Sequence, residues 1–254
     1  ALEKSNDLAG AIVAADEFAT AYPNHAQAAE VGFLRGEYRY RLTKYGEAIP
    51  AFEAFLKTFP KHALAPEASY KAGWSCWQLQ DMPRAETLFA NVMTTYPAAD
   101  QAPEAAFMAG RCADARGETA PAKQFFAKAA ALAPQGDVAM RARLELMRLA
   151  LSAKQYAETI TMAEAFAKDF AATPNNALRL QYALFYKGEA LLETAHPAEA
   201  RAAYAEAVRT DDTTLKRVAA LGGAWASRRL GEHADAAARF DALVGGDDNG
   251  ETLF

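Results

Sequence analysis

The sequence predicts an all-α fold, a solenoid of helix–turn–helix repeats with a period of about 37 residues. Two series of residues lead to this prediction. Prolines recur at a constant interval, at Pro23, Pro60, Pro97 and Pro134. Glycines recur at the same interval, at Gly36, Gly73 and Gly110. A fixed period of this length is typical of solenoids, in which each repeat stacks on its neighbours.

The composition agrees with closely packed helices. Hydrophobic residues make up 52% of the 254 residues and charged residues 23%, which argues against disorder. The formal net charge is −5, and no basic stripe is present, so we expect no nucleic-acid partner. No run of about 18 apolar residues occurs, so we expect no direct membrane span.

The clearest repeat occupies residues 66–97. Its first half, PEASYKAGWSCWQLQ, has apolar and small residues at helical spacing. Gly73 lies in the middle of this helix, where glycine costs about 1 kcal/mol relative to alanine, so we expect a second helix to approach closely there. A turn around Pro83 leads into the second helix, RAETLFANVMTTY, which ends before Pro97 because proline cannot continue a helix.

The other segments follow the same template. Small residues recur at Ala11, Ala48, Ala85 and Ala122, and aromatic residues at Phe52, Phe89 and Phe126. We therefore expect a single superhelical domain over residues 1–244 and a flexible tail over residues 245–254. The domain would contain a half repeat, 1–23, and full repeats 24–60, 61–97, 98–134, 135–174, 175–211 and 212–244. A four-residue insertion near residues 173–176 shifts the phase of the later repeats.

With Gly73, Ala85, Phe89 and Pro97 at these relative positions, the repeat resembles the tetratricopeptide repeat (TPR). The period of 37 is longer than the usual value of about 34, and the extra residues follow the proline. The linkers, of the form YP-x-x-x-x-A-P-E-A, resemble those of bacterial envelope TPR proteins such as the Tol–Pal-associated coordinator and the BamD-type assembly lipoproteins. The resemblance implies a right-handed α-solenoid that is periplasmic or associated with the cell envelope, although a cytoplasmic location stays open.

In a solenoid of this kind, the first helices of the repeats line a concave groove. Several positions expected to face it carry tyrosine, tryptophan or arginine, the residue types that dominate binding hot spots. The predicted groove residues are Phe33, Glu37, Tyr40, Tyr70, Trp74, Trp77, Phe107, Arg111, Arg148, Tyr182, Phe185, Glu189, Trp225 and Arg228. For any single ring, the alternative is that it fills a gap between neighbouring helices.

Arg111 and Arg148 are one repeat apart, so we expect them on adjacent helices and on the same face. Two guanidinium groups placed in this way could hold a carboxylate by charge-assisted hydrogen bonds. The alternative is that each arginine is tied to a nearby acid, namely Glu104, Asp114 or Glu145.

Neither metal nor cofactor chemistry is indicated. His25 and His62, like His196 and His233, recur with the repeat, but they fall in linkers and turns without a cysteine or carboxylate cluster to complete a ligand set. No phosphate-binding, nucleophile-elbow or zinc-protease motif occurs, so we expect no enzyme activity. Cys76 and Cys112 are interpreted as two buried thiols. A disulfide would require an oxidising compartment and suitable geometry.

The sequence therefore predicts a non-enzymatic adaptor that binds a protein or peptide segment in its groove. An alternative is a structural or oligomerisation module, because an incomplete first repeat would expose an apolar face to another copy. A small-ligand receptor, with a pocket shaped by the insertion near Asn175, is a third and less favoured interpretation.

Overall fold

The computed structural model describes residues 7–245, and within this range all regular secondary structure is α-helical. The expected all-α, helix–turn–helix architecture is confirmed. Residues 1–6 of the half repeat, and the expected tail apart from Gly245, lie outside the described residues. The helices are α1 (Leu8–Ala21), α2 (Ala28–Arg41), α3 (Tyr45–Thr58), α4 (Ala65–Gln78), α5 (Met82–Thr95), α6 (Ala102–Ala115), α7 (Thr119–Leu132), α8 (Asp137–Ser152), α9 (Tyr156–Phe170), α10 (Ala177–Glu193), α11 (Pro197–Ala207), α12 (Thr213–Arg229) and α13 (His233–Gly245).

The chain separates after Pro134 into two compact units, residues 1–134 and 135–254, which are described one at a time. In unit 1 all seven helices, α1 to α7, have 14 residues. In unit 2 the helices range from 11 to 17 residues. Unit 1 therefore has the uniform repeats that its regular proline and glycine spacing indicates. The single domain expected over residues 1–244 stays a prediction.

Close helix contacts occur where the sequence has its periodic glycines. A Cβ atom added to Gly36 would lie 2.5 Å from a ring carbon of Phe52, and one added to Gly73 would lie 2.9 Å from the ring of Phe89. Phe52 and Phe89 are fully buried. The close approach predicted from Gly73 is thus confirmed, and the partner is the aromatic residue of the second helix in the same repeat.

The turns inside the repeats share a second feature, a residue with a left-handed backbone. This left-handed residue recurs with the period of the sequence up to residue 154. The next one comes four residues later than that period predicts, because of the insertion near residues 173–176. The residues are Thr43, Gln80, Gly117, Lys154, Ala195 and Gly231, with φ between 57° and 81°. The left-handed conformation reverses the chain within a few residues, so the two helices of each repeat lie antiparallel.

The insertion near residues 173–176 forms the connection between α9 and α10. Asn176 is only 2% exposed, and its side-chain amide donates a hydrogen bond to the carbonyl of Phe170, 3.1 Å away. Asn175 takes a left-handed backbone with φ of 57°. Asn176 is therefore packed against the end of α9, and it directly precedes the first residue of α10.

Candidate partner-binding surface

The first helices of unit 1 include α2, α4 and α6, and Lys71 of α4 connects α4 to α2. Its ammonium group pairs with Glu37 of α2 at 2.5 Å and with Glu67 at 2.9 Å. It also lies 5.6 Å from the ring centre of Phe33 and 5.8 Å from that of Tyr40. Burial opposes the charged form, but the two carboxylates outweigh it and raise the pKa of Lys71. Lys71 therefore stays charged and fixes α4 against α2.

Aromatic residues of α4 form a cluster beside this ion pair. The ring centres of Tyr70 and Trp74 are 6.3 Å apart, and those of Trp74 and Trp77 are 6.5 Å apart, both in edge-on arrangements. The guanidinium carbon of Arg111, on α6, lies 5.4 Å from the centre of the Trp77 ring. Both tryptophans are half-buried and Arg111 is exposed. We call Tyr70, Trp74, Trp77 and Arg111 the tryptophan surface.

Two of the predicted groove residues of unit 1 lie in the core. Phe33 is 6% exposed and packs on Phe52, with ring centres 5.8 Å apart. Phe107 is 4% exposed and packs on Phe126 at 5.5 Å. These two rings therefore fill the space between helices, which is the alternative that the sequence left open.

In unit 2 the predicted residues of α10 are engaged with neighbouring helices. The Tyr182 hydroxyl donates to a carboxylate oxygen of Asp212 at 3.3 Å. Phe185 lies 6.2 Å from the ring centre of Tyr204. Glu189 accepts a hydrogen bond from the Tyr204 hydroxyl at 2.6 Å, and burial together with this bond raises the pKa of Tyr204. Glu189 thus stabilises the packing of α10 on α11.

Sequence reasoning missed Tyr186, which follows Tyr182 by one helical turn. Its ring lies 5.8 Å from that of Phe185 and 6.5 Å from that of Tyr182. Burial, and then the negative charge of Glu145, raise the pKa of Tyr186. The four-residue spacing from Tyr182 was a signal that could have placed it on this face of α10.

The last predicted pair lies on α12. Trp225 is 41% exposed and packs edge-on against Phe240 of α13, with ring centres 5.4 Å apart. The guanidinium carbon of Arg228 lies 4.9 Å from the centre of the Trp225 ring. Val218 and Leu221, which the sequence reasoning also missed, are exposed on the same helix.

Arg111 and Arg148 have different surroundings within their own units. Arg111 stacks near Trp77 in unit 1. Arg148 pairs with Glu145 in unit 2, with the atoms 2.7 Å apart, which agrees with the ion-pair alternative for this residue. A carboxylate clamp formed by the two arginines stays a prediction.

The two cysteines are buried free thiols, as interpreted from the sequence. Burial raises the pKa of Cys76 to about 11 and that of Cys112 to about 12. Because a thiol is nucleophilic only as the thiolate, both groups are unreactive near neutral pH.

The repeated histidines of the linkers bind backbone groups. Nδ1 of His25 accepts a hydrogen bond from the Gln27 amide at 3.1 Å, and Nδ1 of His62 accepts one from the Leu64 amide at 3.2 Å. Among residues 7–245, no group of three or more histidine, cysteine, aspartate or glutamate side chains is arranged to hold a metal ion. No helix in the described part of the chain is long and apolar enough to cross a membrane.

Paired helices of this length, with a glycine packed under an aromatic ring at Gly36, Gly73, Gly110 and Gly188, define a TPR-like α-solenoid. The family model described as "Tetratricopeptide repeat" matches residues 33–100. The resemblance to this family is thus confirmed at the level of the repeat and the fold. The more specific likeness to the Tol–Pal coordinator and BamD-type proteins is not confirmed. No curated protein matches the chain.

Several solved structures are similar to this protein in fold. A MamA RS-1 double mutant has a TM-score of 0.59 and 19% identity, over 72% of this chain and 97% of its own. YrrB, described as a TPR protein with an unusual peptide-binding site, has a TM-score of 0.57 and 15% identity, over 79% of this chain and 96% of its own. A TPR protein from Parabacteroides merdae has a TM-score of 0.53 and 14% identity, over 98% of this chain and 90% of its own.

Proposed function

We propose that this protein is a non-enzymatic scaffold that binds a segment of a partner protein on the first helices of its repeats. The tryptophan surface is the observation that carries the proposal. It places two half-buried indole rings next to an exposed guanidinium group, and these are the side chains that dominate protein-binding hot spots. The TPR-like fold supports it, because solenoids of this kind present extended binding surfaces.

The groups on this surface have separate roles. Trp74 and Trp77 offer rigid apolar area whose ordering costs little conformational entropy. Arg111 offers guanidinium donors to a carboxylate or carbonyl group of the partner. Lys71 is held by Glu37 and Glu67, so it supports the surface and leaves Arg111 as the cation that a partner meets. The expected partner segment therefore has apolar side chains followed by an acceptor group.

The proposal is tested by affinity capture from the native lysate with wild type, Trp74→Ala/Trp77→Ala and Arg111→Ala. We expect each variant to capture at least about tenfold less of the partner protein than wild type does. A loss of this size is typical of hot-spot residues. Trp74 also packs on Phe89 at 6.1 Å, so helical content and thermal midpoint are measured by circular dichroism. Arg111→Ala leaves that packing intact.

Leu79→Ala is the matched control, because Leu79 is a large exposed apolar residue just beyond the end of α4. We expect it to bind like wild type. Capture that survives both the double tryptophan change and Arg111→Ala would show that the partner does not bind at the tryptophan surface.

We place this activity in the bacterial cell envelope, with a role in its assembly. The support is the form of the linkers after Pro60 and Pro97, which resembles that of envelope TPR proteins. Cell fractionation of the protein expressed from its natural reading frame tests the proposal. Recovery with periplasmic markers is expected, and recovery with cytoplasmic markers would contradict it.

An oligomerisation module is a second candidate, favoured by one observation on α1. Val13 on α1 and Tyr22 at its C-terminal end are 56% and 58% exposed. A second copy could cover them. Analytical ultracentrifugation decides between the two functions, since a monomer at micromolar concentration contradicts self-association through α1.

A further inference from the structure

We propose that a pocket between α11, α12 and α13 binds an aliphatic carboxylate, a small ligand with a hydrocarbon chain and one anionic end. We call it the α11–α13 pocket. Its volume is about 320 Å³, within the range of small-molecule sites in proteins. Lys216, Ala219 and Gly223, which line it, lie on one side of α12 by their spacing, and Trp225 lies on the opposite side. The pocket is therefore separate from the surface that the proposed function assigns to the first helices.

A glycine that helix packing does not require borders this pocket. Gly223 lies in the interior of α12, where glycine is unfavourable relative to alanine. The neighbouring Gly222 is required by packing, because a Cβ atom there would lie 2.4 Å from the ring of Tyr204. A Cβ atom on Gly223 would meet, within 4 Å, only the Cβ of Tyr204 at 3.9 Å, which is ordinary contact. A pocket that has to stay open gives a reason for glycine at this position.

The corresponding space in the first full repeat is smaller. It lies between α1, α2 and α3 and has a volume of about 160 Å³. Arg35 occupies the repeat position of Gly223 there, and Phe55 occupies that of Leu243. The Arg35 side chain reaches Asp16 of α1, with the atoms 2.7 Å apart. The last repeat thus has a glycine and a smaller aliphatic residue where the first has two large side chains, which agrees with its larger pocket.

The floor of the α11–α13 pocket is suited to a hydrocarbon chain. Val208, Ala219 and Leu243 have no side-chain group that could form a hydrogen bond, and the Tyr204 hydroxyl is already bonded to Glu189 at 2.6 Å. A peptide carries an amide in every residue, and burial of these groups without partners is unfavourable. A hydrocarbon chain has no such groups. The pocket therefore favours an aliphatic chain over a peptide segment.

The charges at the rim favour an anionic end on the ligand. Of the described residues that line the pocket, the charged ones are Arg201, Lys216 and Arg239, and all three are basic. Arg201 pairs with Glu232, and Arg239 pairs with Asp235 at 2.6 Å. Lys216 is exposed and has no ion pair within the described part of the chain. Lys216 is therefore the cation that can hold a carboxylate by a charge-assisted hydrogen bond.

The two ends of the pocket differ in their access to water. At Lys216 the pocket adjoins a wider, open hollow that is also lined by Ala220 and Leu243. A ligand bound with its carboxylate at Lys216 would keep that group hydrated while its chain reaches toward Gly223. These two residues are seven apart, about 10 Å along α12. Octanoate, whose extended chain is of comparable length, is therefore a suitable probe.

The test measures octanoate binding to the full chain by isothermal titration calorimetry. Octylamine has the same chain with a positive end, butyrate has a shorter chain with the same end, and acetyl-Ala-Ala-Leu has a free carboxylate on a peptide. We expect saturable binding of one octanoate per chain, weakened by salt. Binding of all three control compounds should be at least about tenfold weaker, because each lacks either the anionic end or the buried apolar length.

Two variants place the ligand in the pocket. Gly223→Leu fills it with a side chain, and Lys216→Glu reverses the charge at its open end. We expect each to weaken octanoate binding at least about tenfold. Ala202→Leu on α11 and Lys128→Glu on α7 are the matched controls, because both residues are exposed and neither lines the pocket. Circular dichroism checks folding. If Gly223→Leu does not fold, Lys216→Glu still decides, since its side chain is exposed.

The same titration is independent of the proposed function. Trp74→Ala/Trp77→Ala should bind octanoate like wild type, whether or not it loses the partner protein. Gly223→Leu should capture the partner protein like wild type, because it leaves the tryptophan surface unchanged. Each proposal can therefore fail without the other.

Several results would overturn the proposal. These are the absence of saturable octanoate binding, equal affinity for octylamine, and wild-type affinity in both Gly223→Leu and Lys216→Glu. Tighter binding of acetyl-Ala-Ala-Leu than of octanoate would identify a peptide end as the ligand. Octanoate binding that appears only after removal of residues 246–254 would show that the chain's own end occupies the pocket, and a dimer in sedimentation that octanoate dissociates would identify a second copy.

Discussion

At the scale of single residues, one glycine and one aromatic ring set the distance between the two helices of a repeat. Gly36 lies under Phe52 and Gly110 lies under Phe126, each at a distance that a Cβ atom could not occupy without displacing the ring. In unit 2 the ring is that of Tyr204, which faces Gly188. The same contact therefore recurs across a chain whose other core residues vary.

Gly36→Ala tests this contact against a control in the same repeat. Its added Cβ would lie 2.5 Å from the ring of Phe52, which is fully buried, so the ring would have to shift within the core. We expect a loss of about 1–3 kcal/mol in the free energy of unfolding. Gly46→Ala, with no atom within 4 Å of the new Cβ, should be neutral or stabilise by less than about 1 kcal/mol. Urea unfolding measures both, and equal shifts would contradict the packing argument.

Sequence could predict the interval of the glycines and of the aromatic residues, but not which rings would stay at the surface. Phe33, Tyr70 and Phe107 occupy the same position in consecutive repeats. The two phenylalanines are buried, whereas Tyr70 is half-buried. A phenyl ring gains by complete burial, while a tyrosine hydroxyl needs a polar partner or water. The template therefore located the candidate site, and side-chain chemistry decided which residues remain in it.

At the scale of helices, the period of the sequence reappears in the turns. The four-residue slip was visible in the sequence, and the structure places it in the connection before α10. The burial of Asn176 and its bond to Phe170 could not be predicted, because they depend on the path of the chain after α9. Helix type could thus be predicted from local spacing, whereas the packing of the connection depends on a hydrogen bond between Asn176 and Phe170 that the repeat pattern does not specify.

Helix α1 is held to α2 by ionic hydrogen bonds to one carboxylate. Asp16 accepts from Nε of Arg35 at 2.7 Å and from a guanidinium nitrogen of Arg39 at 2.6 Å. Burial alone would raise the pKa of Asp16, but the bonds from Arg39 and Arg35 outweigh it, and the pKa lies below its ordinary value of 3.8. This contact ties α1 to α2.

Asp16→Asn should therefore have an effect that depends on pH. Because the folded state lowers the pKa, the carboxylate stabilises the protein above pH 3.8, and this contribution is lost as the pH falls from 3.8 through the lowered value. The Asp16 side chain is 35% exposed, so after screening by solvent we expect no more than about 1 kcal/mol at pH 7. Urea unfolding from pH 7 to pH 2.5 measures the difference, with Glu17→Gln as the control. A difference that stays constant over this range would contradict the ionic role.

At the scale of the whole chain, the boundary between the two units falls where both periodic series end. Pro134 is the last proline of its series and Gly110 the last glycine, although we expected the repeats on both sides to form one domain. The residue before the proline does change. Tyr96 donates a hydrogen bond from its hydroxyl to the carbonyl of Pro60 at 2.8 Å, whereas Ala133 has no side chain that could form such a bond. The contact that joins successive linkers in unit 1 therefore cannot recur where that unit ends.

Separate expression of residues 1–134 and 135–254 tests whether each unit folds on its own. Each has a core of fully buried aromatic residues, including Phe52 and Phe89 in unit 1 and Phe166 and Tyr204 in unit 2. Since repeats of a solenoid are stabilised by their neighbours, we expect both fragments to be helical and to melt cooperatively. Their summed circular dichroism spectra should reproduce that of the full chain. An unfolded fragment would show instead that residues 1–244 form one cooperative superhelix, because its core would then depend on repeats in the other half.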